Sequence, residues 1–156
     1  MKTTVVSLAV AGALAGPAMA QARELNMSTT LADYSGNKAY VAIYLTDAQG
    51  QYQRTLWVAG RKAKYYKHLG DWARGSGLRA AEFDGLSGAS VGSGDTLKVS
   101  VDVADSLIDA GYQIRIDSAV EDKSSNRAEV KVPLTLDGSG KEHAGNGYVS
   151  AFRYEL

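Results

Sequence analysis

Two serines set among very small residues are the first candidates for chemistry in this chain. Residues 84–94 read DGLSGASVGSG, so that Ser87 and Ser90 are flanked by glycine and alanine. Such neighbours leave a backbone free to approach another molecule closely. A connection rich in glycine and serine is in most proteins only a flexible loop. Whether a hydroxyl group reacts here therefore depends on the order of the residues and not on their composition alone.

Aromatic and basic side chains are interleaved between residues 57 and 74, which gives a second candidate surface. The aromatic members are Trp57, Tyr65, Tyr66 and Trp72, and the basic ones are Arg61, Lys62, Lys64, Lys67 and His68. Aromatic faces stack on flat rings, and a local cluster of positive charge attracts anions. The structural alternative for each aromatic side chain is core packing, and for the basic run it is a solvated face.

Other kinds of site find little support in the sequence. His68 and His143 are the only two histidines, and neither has a partner at metal-ligand spacing. Ser90 lies in a Gly-Ala context unlike the strained turn that presents the nucleophile of a hydrolase. Glu121 and Asp122 precede Lys-Ser-Ser-Asn, which predicts a hydrophilic turn between two strands. We therefore expect neither a metal centre nor a hydrolase.

The amino terminus has the features of a secretory signal peptide over residues 1–20. Lys2 precedes an apolar stretch over residues 5–15, and Ala18-Met19-Ala20 supplies the small residues of a cleavage site. We expect cleavage after Ala20 and a periplasmic product over residues 21–156. The alternative is an uncleaved membrane anchor.

Charge and length narrow the class of protein further. The 17 basic residues balance 17 acidic ones, so the global positive field of a nucleic-acid-binding protein is absent. The chain has no cysteine, which excludes disulfides and thiolate metal ligands. Residues 21–156 are long enough for one domain with a sizeable core, and packing must hold that domain together.

The elements that position these candidates are mainly strands, because apolar and polar residues alternate with a period of two. A hairpin is expected at residues 39–47 and 52–59, joined through Gly50. One short helix is predicted over residues 64–74, although Gly70 weakens it. The other predicted strands are 23–30, 96–103, 112–120, 128–136 and 148–154. About seven strands at this spacing predict an all-β fold, an immunoglobulin-like antiparallel β-sandwich.

The order of residues 84–90 resembles the acceptor motif of proteins that carry FMN as a covalent phosphoester. That motif reads Asp-x-x-Ser/Thr-Gly-Ala-Ser/Thr, and its specified positions correspond to Asp84, Ser87, Gly88, Ala89 and Ser90. The resemblance implies that a periplasmic flavin transferase links the phosphate to the last hydroxyl residue, Ser90. Threonine is commoner than serine at that position.

Nearly the whole of residues 21–156 resembles a family of bacterial periplasmic domains without an assigned function. The resemblance is carried by Tyr40-Val41-Ala42-Ile43-Tyr44, Arg54-Thr55-Leu56-Trp57, the segment with Tyr66, Leu69 and Trp72, and the loop from Asp84 to Ser90. Members are often encoded beside PepSY-type membrane reductases, flavin transferases and iron-uptake receptors. The resemblance thus implies periplasmic electron transfer, with a ferric siderophore or haem as the expected kind of acceptor.

Two hypotheses follow. The first is a non-catalytic redox carrier, favoured over an enzyme, that holds FMN on Ser90 and surrounds the flavin ring with Trp57, Tyr66 and Trp72. It would receive electrons from the membrane reductase and pass them to the acceptor. The second is a cofactor-free β-sandwich module, linked to metal uptake, that binds a ligand or a protein through the face formed by residues 57–74.

Overall fold

Residues 21–156 are described by this computed structural model, and they fold as two packed β-sheets. The signal peptide expected over residues 1–20 and its cleavage site lie outside the described residues. The predicted all-β sandwich with one short α-helix is confirmed. Within residues 21–156, no helix is both long enough and apolar enough to cross a membrane.

The first sheet has 4 strands and the second has 5. The first sheet runs in the order β5 (Thr96–Ala104), β1 (Ala22–Leu31), β9 (Val149–Glu155) and β8 (Glu142–His143). The second sheet runs in the order β4 (Ser87–Gly88), β3 (Tyr52–Ala59), β2 (Tyr40–Thr46), β6 (Gln113–Ala119) and β7 (Ser125–Pro133). All neighbouring strands are antiparallel except β3 and β4, which run parallel.

The main core lies between the two sheets. Successive side chains of a strand point to opposite faces of its sheet, so every second residue points into this core. Leu25, Met27 and Leu31 of β1 are buried, and the residue next to each of them in the strand is more exposed. From the other strands, Phe152 of β9 and Ile114 of β6 belong to the same hydrophobic cluster. The alternation seen in the sequence therefore becomes the inner faces of the two layers.

One strand is displaced from its predicted position. The expected strand 128–136 is found at Ser125–Pro133, because the turn before it is tight. The Lys123 N–H donates to the Val120 carbonyl at 3.0 Å, and Asp122 adopts a φ of 62°, a left-handed conformation that aspartate tolerates better than most residues. The chain thus reverses quickly, and pairing with β6 starts earlier than the composition indicates.

β2 is buried along its whole length because both faces of its sheet are covered there. Its inner face contacts the main core, and its outer face is covered by a 3-10 helix at Ala63–His68 followed by helix α1 at Gly70–Ser76. A second hydrophobic cluster fills the space beneath these helices. Its largest members are Trp72 and three tyrosines, Tyr40, Tyr44 and Tyr66.

The single helix predicted over residues 64–74 is therefore divided into two pieces. Gly70, a weak helix former, is the first residue of α1. Gly75 lets α1 approach β3 closely, since a Cβ at that position would lie 2.3 Å from the Cβ of Tyr52. A larger residue at position 75 would push the helix away from the sheet.

A buried carboxylate joins α1 to the sheet. Asp117 of β6 has no exposed surface, and it accepts hydrogen bonds from the Tyr44 hydroxyl at 2.8 Å, the Trp72 N–H at 2.8 Å and the Ala128 N–H at 2.7 Å. Burial raises the pKa of Asp117, and the two backbone donors oppose that shift. The donors come from β2, α1 and β7, so one side chain holds three elements against β6.

A second buried carboxylate organises the turn that leads into β9. Glu129 of β7 accepts hydrogen bonds from the backbone N–H groups of Gly147 at 2.9 Å, Tyr148 at 3.2 Å and Val149 at 3.0 Å. The hydroxyl of Ser118 also donates to it. Burying a carboxylate is costly unless hydrogen bonds replace its hydration, and these donors supply that replacement.

Removing the Asp117 carboxylate leaves three buried donors without an acceptor. Each buried donor that loses its partner costs about 1–3 kcal/mol, and we expect Asp117→Ala to lower the free energy of unfolding by about 3–5 kcal/mol. Urea unfolding followed by circular dichroism measures this loss. The control is Asp137→Ala, since the Asp137 side chain is 92% exposed and forms a surface ion pair with Lys141. A loss for Asp117→Ala no larger than that of the control would contradict the role given to Asp117.

Candidate functional site

The acceptor-like segment begins in a tight turn and continues as the edge strand β4. The Leu86 N–H donates to the Phe83 carbonyl at 2.9 Å, and Gly85 supplies the positive φ of 75° that this turn requires. β4 then pairs with β3, with bonds from Val58 N–H to the Leu86 carbonyl at 2.9 Å and from Gly60 N–H to the Gly88 carbonyl at 2.8 Å. This part of the glycine-rich stretch is ordered structure and not a free loop.

The residues after Ser90 are held by the neighbouring chain. Val91 and Ala39 exchange backbone hydrogen bonds at 2.6 and 3.0 Å, and both side chains are buried in the main core. Farther along, the hydroxyl of Ser93 accepts from the Tyr34 N–H at 2.8 Å. Ser90 is thus fixed between the β3–β4 pairing on one side and the Ala39–Val91 pair on the other.

Ser90 and Trp57 line one pocket of about 390 Å³. Trp57 comes from β3 of the 5-stranded sheet and Leu97 from β5 of the 4-stranded sheet, so the pocket lies where the two layers open to solvent. Ser90 is half-buried, and its hydroxyl forms no hydrogen bond with the described residues. The other lining residues are Lys38, Ala89, Val91, Gly92, Asp95 and Thr96.

Trp57 is in direct contact with the acceptor-like segment. A Cβ at Gly88 would lie 2.8 Å from Cζ2 of Trp57, so only glycine lets the indole ring pack against the backbone there. The Trp57 Nε1–H is buried and has no hydrogen-bond partner among residues 21–156. An unpaired buried donor is unfavourable, and this one lies in the side chain that borders the pocket.

The structure places Tyr66 behind the segment and not in the pocket. Tyr66 is only 3% exposed, its hydroxyl donates to the Gly60 carbonyl at 2.7 Å, and its ring meets that of Phe83 edge-on with centroids 5.2 Å apart. Burial raises the pKa of Tyr66, while the Ser87 side chain beside it opposes the shift. Tyr66 therefore supports the strand that carries Ser87.

Trp72 lies deeper still. It has no exposed surface, and its indole N–H donates to the Thr55 hydroxyl at 2.9 Å. Its ring packs against those of Tyr66 and Phe83, with centroids 5.4 and 5.8 Å away. Of the three aromatic residues expected around a flavin, the structure brings only Trp57 to the pocket with Ser90.

The basic residues between positions 61 and 68 are all exposed to solvent: Arg61, Lys62, Lys64, Lys67 and His68. The Lys64 ammonium lies 5.0 Å from the centroid of the Tyr65 ring, within the range of a cation–π contact. The group therefore forms a positively charged surface patch, which lies on the segment that covers the outer face of the 5-stranded sheet.

Sequence reasoning missed Lys38 and Asp95 as pocket residues. Lys38 precedes β2 and Asp95 precedes β5, and no spacing or motif in the sequence links either of them to Ser90. Only the pairing of Ala39 with Val91 brings Lys38 to the pocket. Contacts that depend on the pairing of two segments far apart in the chain leave no local pattern in the sequence.

A second pocket, of about 270 Å³, opens at the end of β6. Its aromatic wall contains Tyr40 and Tyr65, whose rings meet edge-on with centroids 5.5 Å apart. The Tyr65 hydroxyl donates to Glu121, and this hydrogen bond raises the pKa of Tyr65. The remaining lining residues are His68, Ala119, Val120, Asp122, Lys123 and Ser125.

Residues 21–156 contain no group of three or more histidine, cysteine or acidic side chains arranged to hold a metal ion. His143 lies in β8 at the edge of the first sheet, and His68 lies in the 3-10 helix on the outer face of the second. The two histidines therefore belong to different parts of the fold.

Comparison with models of known families identifies the family of this chain. A model of the DUF2271 family, described as a predicted periplasmic protein, matches residues 22–151. The chain belongs to this family. The matched range includes both sheets almost in full, the helical segment and the whole pocket around Ser90, so the features described above are those of a DUF2271 domain. Searches of curated proteins and of solved structures each found no match.

The contact between Gly88 and Trp57 in this DUF2271 protein can be measured by a double-mutant cycle. Gly88→Ala forces the indole ring to move, and overpacking of this kind costs about 1–3 kcal/mol of unfolding free energy. We expect less than half of that cost when the same change is made in Trp57→Phe, whose smaller ring lacks the contacting Cζ2 atom. Urea unfolding of the four proteins gives the coupling. Equal costs in both backgrounds would show that the two residues do not interact.

Proposed function

We propose that this protein is a periplasmic electron carrier that holds FMN through a phosphoester on the Ser90 hydroxyl. Electrons would come from a PepSY-type membrane reductase and pass to a metal complex such as a ferric siderophore or haem. The observation that carries the proposal is the pocket in which an unbonded hydroxyl, on a segment of acceptor-like sequence, shares its walls with an indole ring.

The pocket residues fit such a group. Trp57 offers an aromatic ring, while Gly88 and Ala89 leave the backbone near Ser90 uncrowded. When bound, the flavin supplies the one- and two-electron chemistry that amino-acid side chains lack. The protein's own task is to hold the tether at Ser90 and to present an aromatic wall beside it.

The attachment step balances if a flavin dinucleotide is the donor. A bond forms between the Ser90 oxygen and the phosphorus of the FMN half, the pyrophosphate P–O bond breaks, and AMP leaves. The hydroxyl proton passes to a base of the transferase, and no oxidant or reductant is needed. A covalent link suits a protein outside the cytoplasm, because no evident pool of free FMN exists there to replace a cofactor that is lost.

The position of the segment also suits modification by another enzyme. β4 is the outermost strand of its sheet, and Asp84, Ser87 and Ala89 are exposed. A transferase could therefore read the specified residues from solvent. The basic patch of residues 61–68 would then favour the approach of an anionic ferric chelate or an acidic redox partner.

Flavinylation is tested by expressing the full chain with its signal peptide beside a flavin transferase and measuring the intact mass. We expect the mature protein to gain the mass of one FMN less one water and to fluoresce as a flavin in a denaturing gel. Ser90→Ala should abolish both signals. An unmodified native protein beside a transferase that labels a known acceptor would remove the proposal.

Ser87→Ala is the matched control, since it changes the other hydroxyl of the motif and leaves Ser90 in place. We expect flavin to remain attached to the Ser87→Ala protein. A lower yield of flavinylated protein would show that the transferase uses Ser87 to recognise the segment. Flavin retained by Ser90→Ala and lost from Ser87→Ala would show that the flavin is linked to Ser87 and not to Ser90.

A second candidate function, that of a cofactor-free binding module, is favoured by the pocket at the end of β6. Tyr40 and Val120 give it an apolar lining, and Glu121, Asp122 and Lys123 line it as well. Concave sites with an apolar body and a few convergent polar groups commonly bind small molecules. The chemistry of this pocket matches a small aromatic body that carries an ammonium group.

Phenethylammonium chloride is the probe for this second candidate, and Ser90→Ala is the host protein so that no flavin is present. We expect saturable shifts of the backbone amide signals of residues 119–125. Glu121→Gln should weaken binding about tenfold, because it removes a charge-assisted hydrogen bond worth about 1.5–3 kcal/mol. Glu142→Gln, an exposed change in β8, should leave binding unchanged. Shifts that do not saturate would remove this candidate.

A further inference from the structure

We propose that Lys38 is the positioning residue that pairs with the phosphodiester formed on Ser90 and so holds the attached flavin against the pocket. This inference rests on the proposed function. It adds a residue that lies outside the acceptor-like segment and outside the aromatic and basic segment.

The backbone places Lys38 beside Ser90. Ala39 and Val91 exchange both of their backbone hydrogen bonds in an antiparallel bridge. In an antiparallel pair, the residue before one partner lies opposite the residue after the other, so Lys38 lies opposite Gly92, close to Ser90. Both bridging side chains are buried in the main core, which fixes this arrangement, and Lys38 and Ser90 line the same pocket.

Lys38 is also a cation without a charged partner in the described part of the chain. Its ammonium forms no salt bridge with any of residues 21–156, and it is the only basic residue that lines the pocket. Asp95 is the one acidic side chain among the described residues that line it. A phosphodiester on Ser90 would add a second negative charge near Asp95, and the ammonium of Lys38 is the group available to offset it.

The expected consequence concerns the mobility of the flavin as well as its charge. A phosphoester on a single hydroxyl leaves the attached group free to rotate, so a second contact is needed to hold it in one place. An ammonium–phosphate pair supplies that contact as a charge-assisted hydrogen bond. Because Lys38 is exposed, the pair should weaken as salt screens it.

The test uses the flavinylated full-length protein, with intact mass to show that the flavin is present and circular dichroism to show that the variants fold. In Lys38→Ala we expect the steady-state anisotropy of flavin fluorescence to fall and the ³¹P signal of the phosphodiester to shift. Raising the salt concentration should move the native protein towards the values of Lys38→Ala. Lys38→Arg should restore most of the native anisotropy.

Lys98→Ala is the matched control, because Lys98 is an exposed lysine of β5 that does not line the pocket. It should keep the native anisotropy and the native ³¹P signal. A flavinylated Lys38→Ala with both native values would overturn the role of Lys38, and so would a folded Lys38→Ala that carries no flavin. Absence of flavin from the native protein would instead overturn the proposed function, so the two failures are distinct.

Discussion

The position of the acceptor-like segment depends on the fully buried carboxylate of Asp117, which accepts three hydrogen bonds. Asp117 binds the backbone N–H of Trp72 and thereby fixes α1 on the outer face of the 5-stranded sheet. The chain leaving α1 then returns to the sheet and forms β4 alongside β3. If the helix were free to move, the crossover that delivers β4 would have no fixed starting point. A buried charge is costly in itself, and here its cost is offset by the order it imposes on three neighbouring elements.

Much of the fold could be predicted from the sequence because the period of two is a direct record of which face of a strand is buried. The hairpin around Gly50 and the strand that contains Tyr154 are examples, and so is the confirmed two-layer architecture. The division of the helix at Gly70 and the early start of β7 at Ser125 were not predicted, since both follow from tertiary contacts. The short strand β4 lies in a stretch whose glycine content indicates a loop, and pairing with β3 overrides that local preference.

The candidate site was predictable only where a motif spans it. Residues 84–90 are contiguous and their order can be read directly, whereas Lys38 reaches the pocket only through the Ala39–Val91 pair. The aromatic residues show a different limit. Trp57 and Trp72 look equivalent in sequence, yet Trp57 lies on an inner face at the opening between the sheets and Trp72 lies beneath two helices. Which tryptophan can contact a ligand is decided by the layer that covers it.

The parallel pairing of β4 with β3 has a consequence for how a second enzyme could reach Ser90. It consists of only two pairs of facing residues at the rim of the sheet. Local unfolding requires least free energy where few contacts must break. The β4 pairing can thus open locally while the two layers stay packed and the Ala39–Val91 pair still holds the residue after Ser90. The short strand can then pair with β3 again without refolding of the domain.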